Sequence, residues 1–209
     1  TMANTTGKKI KDIAIIGGCA SLIYLTIGDI SYRLSLSRGG LNSKLITDMV
    51  AKSAAKKPKN EYKEKLDSMI DDGADWFMHQ DTEKIIIEKK HRQSLYADLI
   101  RPDKPSNVYI ICIHGYTSSP ANMGIYAKKY HELGYNVLLP SLRGHGDSEQ
   151  DFITMGWNDR LDVIEWINYI AERHPESKII LHGVSMGAAT TMMATGEKLP
   201  ENVKAAIED

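Results

Sequence analysis

Short apolar runs alternate with helical patterns along the second half of the chain. The runs predict strands at 84–89, 95–100, 107–113, 136–139, 178–182 and 203–207. Apolar residues at helical spacing predict helices at 121–133, 157–173 and 188–198. The first two strands follow each other without a helix, which favours an antiparallel pair. Strands separated by helices favour a mostly parallel sheet covered by helices on both faces, and so an α/β fold class.

The first part of the chain has a different pattern. Uncharged residues fill 13–28, and residues 41–72 predict two amphipathic helices that Pro58 separates. These helices are expected to pack on the α/β body or to link it to the uncharged segment. An arm that binds a membrane surface or a partner is the alternative. The predicted organisation is a leader at 1–40, a helical extension at 41–74 and the α/β body at 75–209.

A G-x-S-x-G motif stands between the predicted strand 178–182 and the predicted helix 188–198. Its residues are Gly183, Ser185 and Gly187, with Val184 and Met186 between them. Strand, G-x-S-x-G and helix in this order form the nucleophile elbow of α/β-hydrolases, in which a tight turn lifts the serine hydroxyl above the sheet. Both glycines are expected because such a turn leaves no room for a Cβ atom. Ser185 is therefore the candidate nucleophile.

Three segments in the same order resemble the α/β-hydrolase superfamily over residues 75–209. They are the His-Gly-Tyr-Thr-Ser run at 114–118, the Leu-Arg-Gly-His-Gly-Asp-Ser run at 142–148 and the elbow with its flanks at 181–189. The chain looks most similar to membrane-anchored, cell-surface serine hydrolases of Gram-positive bacteria, relatives of the serine aminopeptidase and prolyl-oligopeptidase-like groups. Such proteins usually carry Asp where this chain has Ser141, a difference expected to loosen that loop.

The resemblance implies a serine hydrolase acting on ester, thioester or short peptide bonds. It implies an oxyanion hole formed by the N–H groups of Tyr116 and Met186, with His114 and Gly115 shaping the oxyanion turn. In this fold the triad acid and histidine follow the serine. They are expected to be missing from this sequence, which would be truncated after the strand that follows the nucleophile helix. The 209-residue chain is accordingly expected to have negligible turnover by itself.

Other assignments remain open at the level of sequence. His145 is a weak candidate for a general base, and Asp209 is a weak candidate for the triad acid at the end of a strand. The other histidines are expected to have structural or surface positions. A function of a different class is a non-catalytic, membrane-tethered binding protein with a partial hydrolase fold.

Charge divides the chain into a basic leader and an acidic body. Residues 1–60 contain ten Lys and Arg against three Asp, although the whole chain has a net charge of −1. An acidic body argues against nucleic acid as its partner, whereas a basic leader fits an anionic membrane surface. Lys8, Lys9 and Lys11 precede the uncharged segment and favour a single-pass signal anchor with the body outside the cytoplasm. A cleaved signal peptide or a buried helix are the alternatives.

Composition adds few further constraints. Hydrophobic residues make up 42% and charged residues 25%, ordinary values for a packed domain. Cys19 and Cys112 provide no disulfide framework, and Cys112 is expected to be a small buried residue in a strand. No cofactor and no metal site is indicated, and the expected ligand is a small-molecule ester or peptide.

Overall fold

The computed structural model describes residues 21–38, 61–88 and 93–209. The described residues of the first half include two helices: α1 covers 21–36 and α2 covers Glu61–Met78. The first predicted amphipathic helix and residues 13–20 of the uncharged segment lie outside the described residues. The second amphipathic helix is α2, which extends beyond the predicted position 72.

The body contains six strands and three further α-helices among the described residues. The strands are β1 (Glu83–Ile87), β2 (Leu95–Ile100), β3 (Val108–Ile113), β4 (Asn136–Pro140), β5 (Lys178–Gly183) and β6 (Val203–Glu208). The helices are α3 (Gly124–Glu132), α4 (Asp159–Arg173) and α5 (Met186–Thr195). Pro120–Met123 forms a 3₁₀ turn directly before α3, so the helix predicted over 121–133 is divided in two.

All six strands form one sheet in the order β1-β2-β4-β3-β5-β6. β1 pairs antiparallel with β2 and β2 antiparallel with β4, while the pairs β4–β3, β3–β5 and β5–β6 are parallel. The expected antiparallel entry and parallel remainder are confirmed. Because β3, β4 and β5 are parallel neighbours, the loops that follow their carboxyl ends meet at one edge of the sheet.

Alternating side chains of β3 enter two separate apolar cores. Tyr109, Ile111 and Ile113 pack in the core that contains Trp166 and Ile167 of α4. On the opposite face, Ile110 and Cys112 pack with Phe77 of α2 and Ala127 of α3. The predicted coverage of both faces by helices is therefore confirmed. Burial raises the pKa of the Cys112 thiol, as expected for an inert residue inside a strand.

Helix α2 lies directly on helix α3. At their contact a Cβ atom added to Gly124 would stand 2.0 Å from the carbonyl oxygen of Gly73. Two glycines therefore allow the two backbones to touch, which confirms that residues 61–78 pack on the body. None of the described helices combines the length and apolar character needed to cross a membrane.

Candidate active site

Ser185 occupies the sharp junction between β5 and α5. Its backbone angles are φ 57° and ψ −115°, in the region that non-glycine residues rarely adopt. Two hydrogen bonds hold the junction against Asp209, the residue that follows β6: Ser185 N–H donates to the Asp209 carbonyl (2.8 Å), and Asp209 N–H donates to the Gly183 carbonyl (3.0 Å). The serine side chain is exposed, and Oγ forms no hydrogen bond with another described residue.

The glycines on both sides of Ser185 are required by close backbone approach. A Cβ atom at Gly187 would stand 2.0 Å from the Ile113 carbonyl oxygen. A Cβ atom at Gly183 would stand 2.2 Å from the Gly187 carbonyl oxygen. The expectation that neither position has room for a side chain is confirmed. The first turn of α5 can therefore press against the end of β3.

Two backbone N–H groups are available beside the serine. No backbone hydrogen bond within the described ranges uses the N–H of Tyr116 or that of Met186, the first residue of α5. Gly115 lies against the serine, since a Cβ atom built there would stand 3.9 Å from Ser185 Oγ. The N-terminus of α5 adds a partial positive charge at the same place. This arrangement is suited to hold the negative oxygen of a tetrahedral intermediate.

His114 and His145 connect the loop after β3 to the loop after β4. His114 Nε2 accepts a hydrogen bond from Leu142 N–H (3.2 Å), and His145 Nε2 accepts one from Thr117 N–H (3.0 Å). Each Nδ1 faces a carbonyl oxygen, that of Gly115 at 2.9 Å for His114 and that of Arg143 at 2.8 Å for His145. Both rings are therefore neutral, with the proton on Nδ1. The two ring centroids lie 5.0 Å apart.

This bonding argues against His145 as the base for Ser185. A general base needs a free ring nitrogen directed at the hydroxyl, and both nitrogens of His145 are occupied by backbone groups. Burial lowers the pKa of His114 to about 4 and also lowers that of His145. The two histidines thus fix the shape of the loops, a role that the resemblance implied for His114 but that nothing in the sequence indicated for His145.

His182 and Asp209 lie on the face of the sheet that carries α3. The His182 ring packs against Tyr126 and its Nδ1 lies 2.9 Å from the Tyr130 hydroxyl. Burial lowers the pKa of His182. The Asp209 carboxylate accepts a hydrogen bond from the Tyr126 hydroxyl (2.7 Å). The hydrogen bonds of the described residues thus connect Asp209 to a tyrosine and not to a histidine.

Two buried aspartates of α4 support the loop after β4, and sequence analysis missed both. Asp159 is fully buried and accepts hydrogen bonds from Arg143 N–H (3.0 Å) and Gly156 N–H (2.9 Å). Asp162 forms a two-pronged ion pair with the Arg143 guanidinium (2.7 and 2.9 Å). In the sequence these aspartates are marked only by their position in the first turn of a helix. Acidic residues are common at that position in general, so the position did not single them out.

Ser141 was expected to loosen the same loop. Its hydroxyl instead accepts a hydrogen bond from Asp147 N–H (3.2 Å), and its own N–H donates to the Tyr96 carbonyl (2.9 Å). The loop is therefore tied at this position despite the departure from the usual Asp. No group of three or more His, Cys, Asp or Glu side chains in the described part of the chain is arranged to hold a metal ion.

The family model described as "Serine aminopeptidase, S33" matches residues 104–208, half of the chain. The matched segment contains the loop after β3, the loop after β4 and the elbow. It therefore covers each group of residues that forms the candidate site.

Two curated bacterial proteins are similar in sequence. The thermostable monoacylglycerol lipase of Bacillus sp. (strain H-257) is 31% identical over 41% of this chain and 34% of its own length. The uncharacterized protein YqkD of Bacillus subtilis (strain 168) is 28% identical over 57% of this chain and 39% of its own. The chain therefore spans between a third and two fifths of these relatives.

Solved structures agree with the α/β-hydrolase fold. The Pyrococcus furiosus esterase Pf2001 matches with a TM-score of 0.54 and 27% identity, covering 62% of this chain and 50% of that protein. A thermostable carboxyl esterase from Bacillus coagulans matches with a TM-score of 0.51 and 15% identity, covering 61% of this chain and 43% of that one. Because its sequence identity is only 15%, the match to the Bacillus coagulans esterase supports the fold alone.

Proposed function

Because the chain belongs to the serine aminopeptidase S33 family of hydrolases, we propose that it is part of a serine hydrolase that cleaves carboxylic esters through Ser185. The observation that carries the proposal is the exposed hydroxyl of Ser185 at a strained strand–helix junction, beside two unoccupied N–H groups. The names of two relatives, a monoacylglycerol lipase and an esterase, favour esters over thioesters and short peptides.

In the proposed reaction Ser185 Oγ attacks the ester carbonyl carbon. The carbonyl oxygen becomes an oxyanion that accepts hydrogen bonds from Tyr116 N–H and Met186 N–H. Collapse of this intermediate releases the alcohol and leaves an acyl group on Ser185. Water then attacks the acyl group, which releases the carboxylic acid and restores the serine.

A base must accept the serine proton and pass it to the leaving alcohol. Both ring nitrogens of His114 and of His145 are occupied, so neither suits this task. We assign the base to a histidine outside the described residues, held by an acidic side chain. The family's order of Ser, then acid, then histidine supports this assignment.

The test compares Ser185→Ala with Ser106→Ala in the full-length protein. Ser106 is a matched control because it precedes β3 at the opposite edge of the sheet. Ser185→Ala is expected to lower kcat/KM for a p-nitrophenyl ester by about 10³-fold or more, because the covalent route is lost. Ser106→Ala is expected to keep the activity. Equal activity of the two variants would refute the role of Ser185, as would a fluorophosphonate probe that labels another residue.

We also propose that the protein is attached to a membrane through its N-terminal segment, with the body on the extracytoplasmic side. Support comes from the basic residues before the uncharged segment. Helix α1 adds further support, because its large apolar side chains are exposed, Leu25 by 65% and Tyr24 by 78%. An exposed apolar helix is typical of segments that bind a lipid surface or another protein.

A further inference from the structure

The loop after β3 contains a strained threonine directly behind one of the two proposed oxyanion donors. Thr117 has a φ of 55°, a backbone conformation that β-branched residues rarely adopt. It occupies the third position of a turn that Ser118 N–H closes by donating to the Gly115 carbonyl (3.3 Å). Turns that need a positive φ at this position usually have glycine there. A contact must therefore keep Thr117 from relaxing, and Tyr116 is the other central residue of the same turn.

The imidazole of His145 supplies such a contact. Thr117 N–H donates a hydrogen bond to His145 Nε2 (3.0 Å), although the two residues are 28 positions apart. The other ring nitrogen, Nδ1, lies 2.8 Å from the Arg143 carbonyl oxygen, which can only accept. The proton is therefore on Nδ1, and the lone pair of Nε2 is available to Thr117. Burial lowers the pKa of His145, so the ring keeps this lone pair near pH 7.

Residues 35–38, which follow helix α1, hold the loop of His145 from its other side. The Arg38 guanidinium donates hydrogen bonds to the carbonyl oxygens of Gly146 (2.5 Å) and Ser148. These two carbonyls belong to the residues one and three positions after the imidazole. Because the guanidinium holds both of them, the ring is a fixed acceptor and does not simply follow a change in the neighbouring turn.

We propose that His145 is a positioning residue for the oxyanion hole: it holds Thr117 in the strained conformation that directs Tyr116 N–H toward the substrate. This inference rests on the proposed function and adds a residue to its machinery. Gly115 begins the turn and lies against the nucleophile, since a Cβ atom built there would stand 3.4 Å from Ser185 Cβ. Relaxation of φ at Thr117 would redirect the peptide groups of the turn and displace the Tyr116 N–H from the serine.

A role confined to the stability of the loop is the alternative, and it leads to different kinetics. An oxyanion donor acts on the transition state and not on the bound ester, so its displacement lowers kcat and leaves KM nearly unchanged. A role in stability alone would lower the free energy of unfolding without this selective loss of kcat. It would also not depend on whether the residue at position 117 is strained.

The test compares two neutral amides at position 145 in the full-length protein, with p-nitrophenyl butyrate as substrate. His145→Asn keeps a donor in place of Nδ1 and removes the acceptor, whereas His145→Gln restores an acceptor in place of Nε2. We expect His145→Asn to lower kcat by about 10- to 100-fold, below the effect of deleting a whole oxyanion donor. His145→Gln should recover kcat to within about threefold, and KM should change by less than about twofold in both variants. His174→Asn is the matched control, because His174 is exposed and stacks on Tyr109 at the other end of the sheet.

A second measurement removes the strain itself. Glycine adopts a positive φ without strain, so with Thr117→Gly the turn keeps its form when the acceptor of His145 is absent. The loss of kcat caused by His145→Asn should therefore shrink to about threefold or less in the Thr117→Gly background. The free energy of unfolding of each variant, measured in urea, separates a loss of kcat from a loss of folded protein.

An equal loss of kcat from His145→Asn with either residue at position 117 would overturn the inference. A kcat of His145→Asn equal to that of the unsubstituted protein would also overturn it. In both cases the hydrolase function stands if a fluorophosphonate labels Ser185 and Ser185→Ala abolishes hydrolysis. Absence of hydrolysis together with an unlabelled Ser185 would overturn both proposals.

Discussion

At the scale of single residues, the backbone of Ser185 is the most unusual feature of the candidate site. A non-glycine residue with φ near 57° costs roughly 1–3 kcal/mol and persists only where neighbouring contacts enforce it. Those contacts are hydrogen bonds from Ser185 N–H to Asp209 (2.8 Å), from Val184 N–H to Ile113 (3.1 Å) and from Gly187 N–H to Val184 (2.8 Å). Residues at or directly after the ends of β3, β5 and β6 therefore hold Ser185 in this conformation together.

His114 makes the stability of the protein depend on pH. Burial lowers its pKa to about 4, whereas an unfolded histidine titrates near 6.5. Between these two values the unfolded chain binds more protons than the folded chain, so the free energy of unfolding falls as the pH falls from 6.5 toward 4. The expected loss over this window is roughly 3 kcal/mol.

Urea unfolding at several pH values between 4 and 7 checks this prediction. His114→Gln should flatten the dependence because the titrating group is gone. The control is His174→Gln, since His174 is exposed and stacks on Tyr109 at the other end of the sheet. If the free energy of unfolding of the unsubstituted protein does not decrease below pH 6.5, the buried, neutral state of His114 is contradicted.

At the scale of elements, the contact between α2 and α3 depends on two glycines. Gly124→Ala would place a Cβ atom 2.0 Å from the Gly73 carbonyl oxygen, so the helices must separate. We expect a loss of about 1–3 kcal/mol in the free energy of unfolding, measured by chemical denaturation. Gly28→Ala is the matched control, because an added Cβ atom on helix α1 meets nothing within 4 Å. Equal stability of both variants would show that the helices do not touch there.

The sequence predicted those elements whose signal is local. Strands β3 and β5 are continuous apolar runs, and the elbow has glycines at fixed positions, so their order and type follow from pattern alone. The division of the helix at Pro120–Met123 was missed because a four-residue 3₁₀ turn has no periodicity of its own. The contacts of residues 35–38 with the body were missed for a related reason: their hydrogen bonds join residues that are 81 to 117 positions apart, such as Ser35 with Tyr116 and Leu36 with Ile153.

The candidate site was predictable to a similar extent. The motif indicated Ser185, and the resemblance indicated Tyr116 and Met186. In the structure Met186 begins the helix directly after Ser185, and Gly115, the residue before Tyr116, lies against the serine; the catalytic roles of these residues remain predictions. The partners of His114 and His145 could not be foreseen, because each ring binds a backbone N–H group 28 residues away. Backbone groups carry no signature in a sequence.

At the scale of the whole molecule, the proposed membrane attachment can be tested on exposed residues of similar size. Ile23 is 60% and Leu25 is 65% exposed on α1, while Leu133 is 64% exposed on the body. Ile23→Gln with Leu25→Gln should reduce co-sedimentation of the full-length protein with phosphatidylglycerol-containing vesicles by about tenfold or more, since apolar burial in lipid is lost. Leu133→Gln should leave binding unchanged. Vesicle binding that survives the double substitution would rule out α1 as the attachment.

The pairing of Asp209 with both sides of the elbow has a consequence for synthesis on the ribosome. The two hydrogen bonds between Asp209 and the elbow, one donated to the Gly183 carbonyl and one accepted from Ser185 N–H, do not exist until residue 209 has been added. A nascent chain that already carries the G-x-S-x-G motif therefore still lacks two of the hydrogen bonds that oppose the strain at Ser185. We therefore expect the nucleophile geometry to become fixed only after β6 and Asp209 dock on a sheet whose other strands emerged from the ribosome earlier.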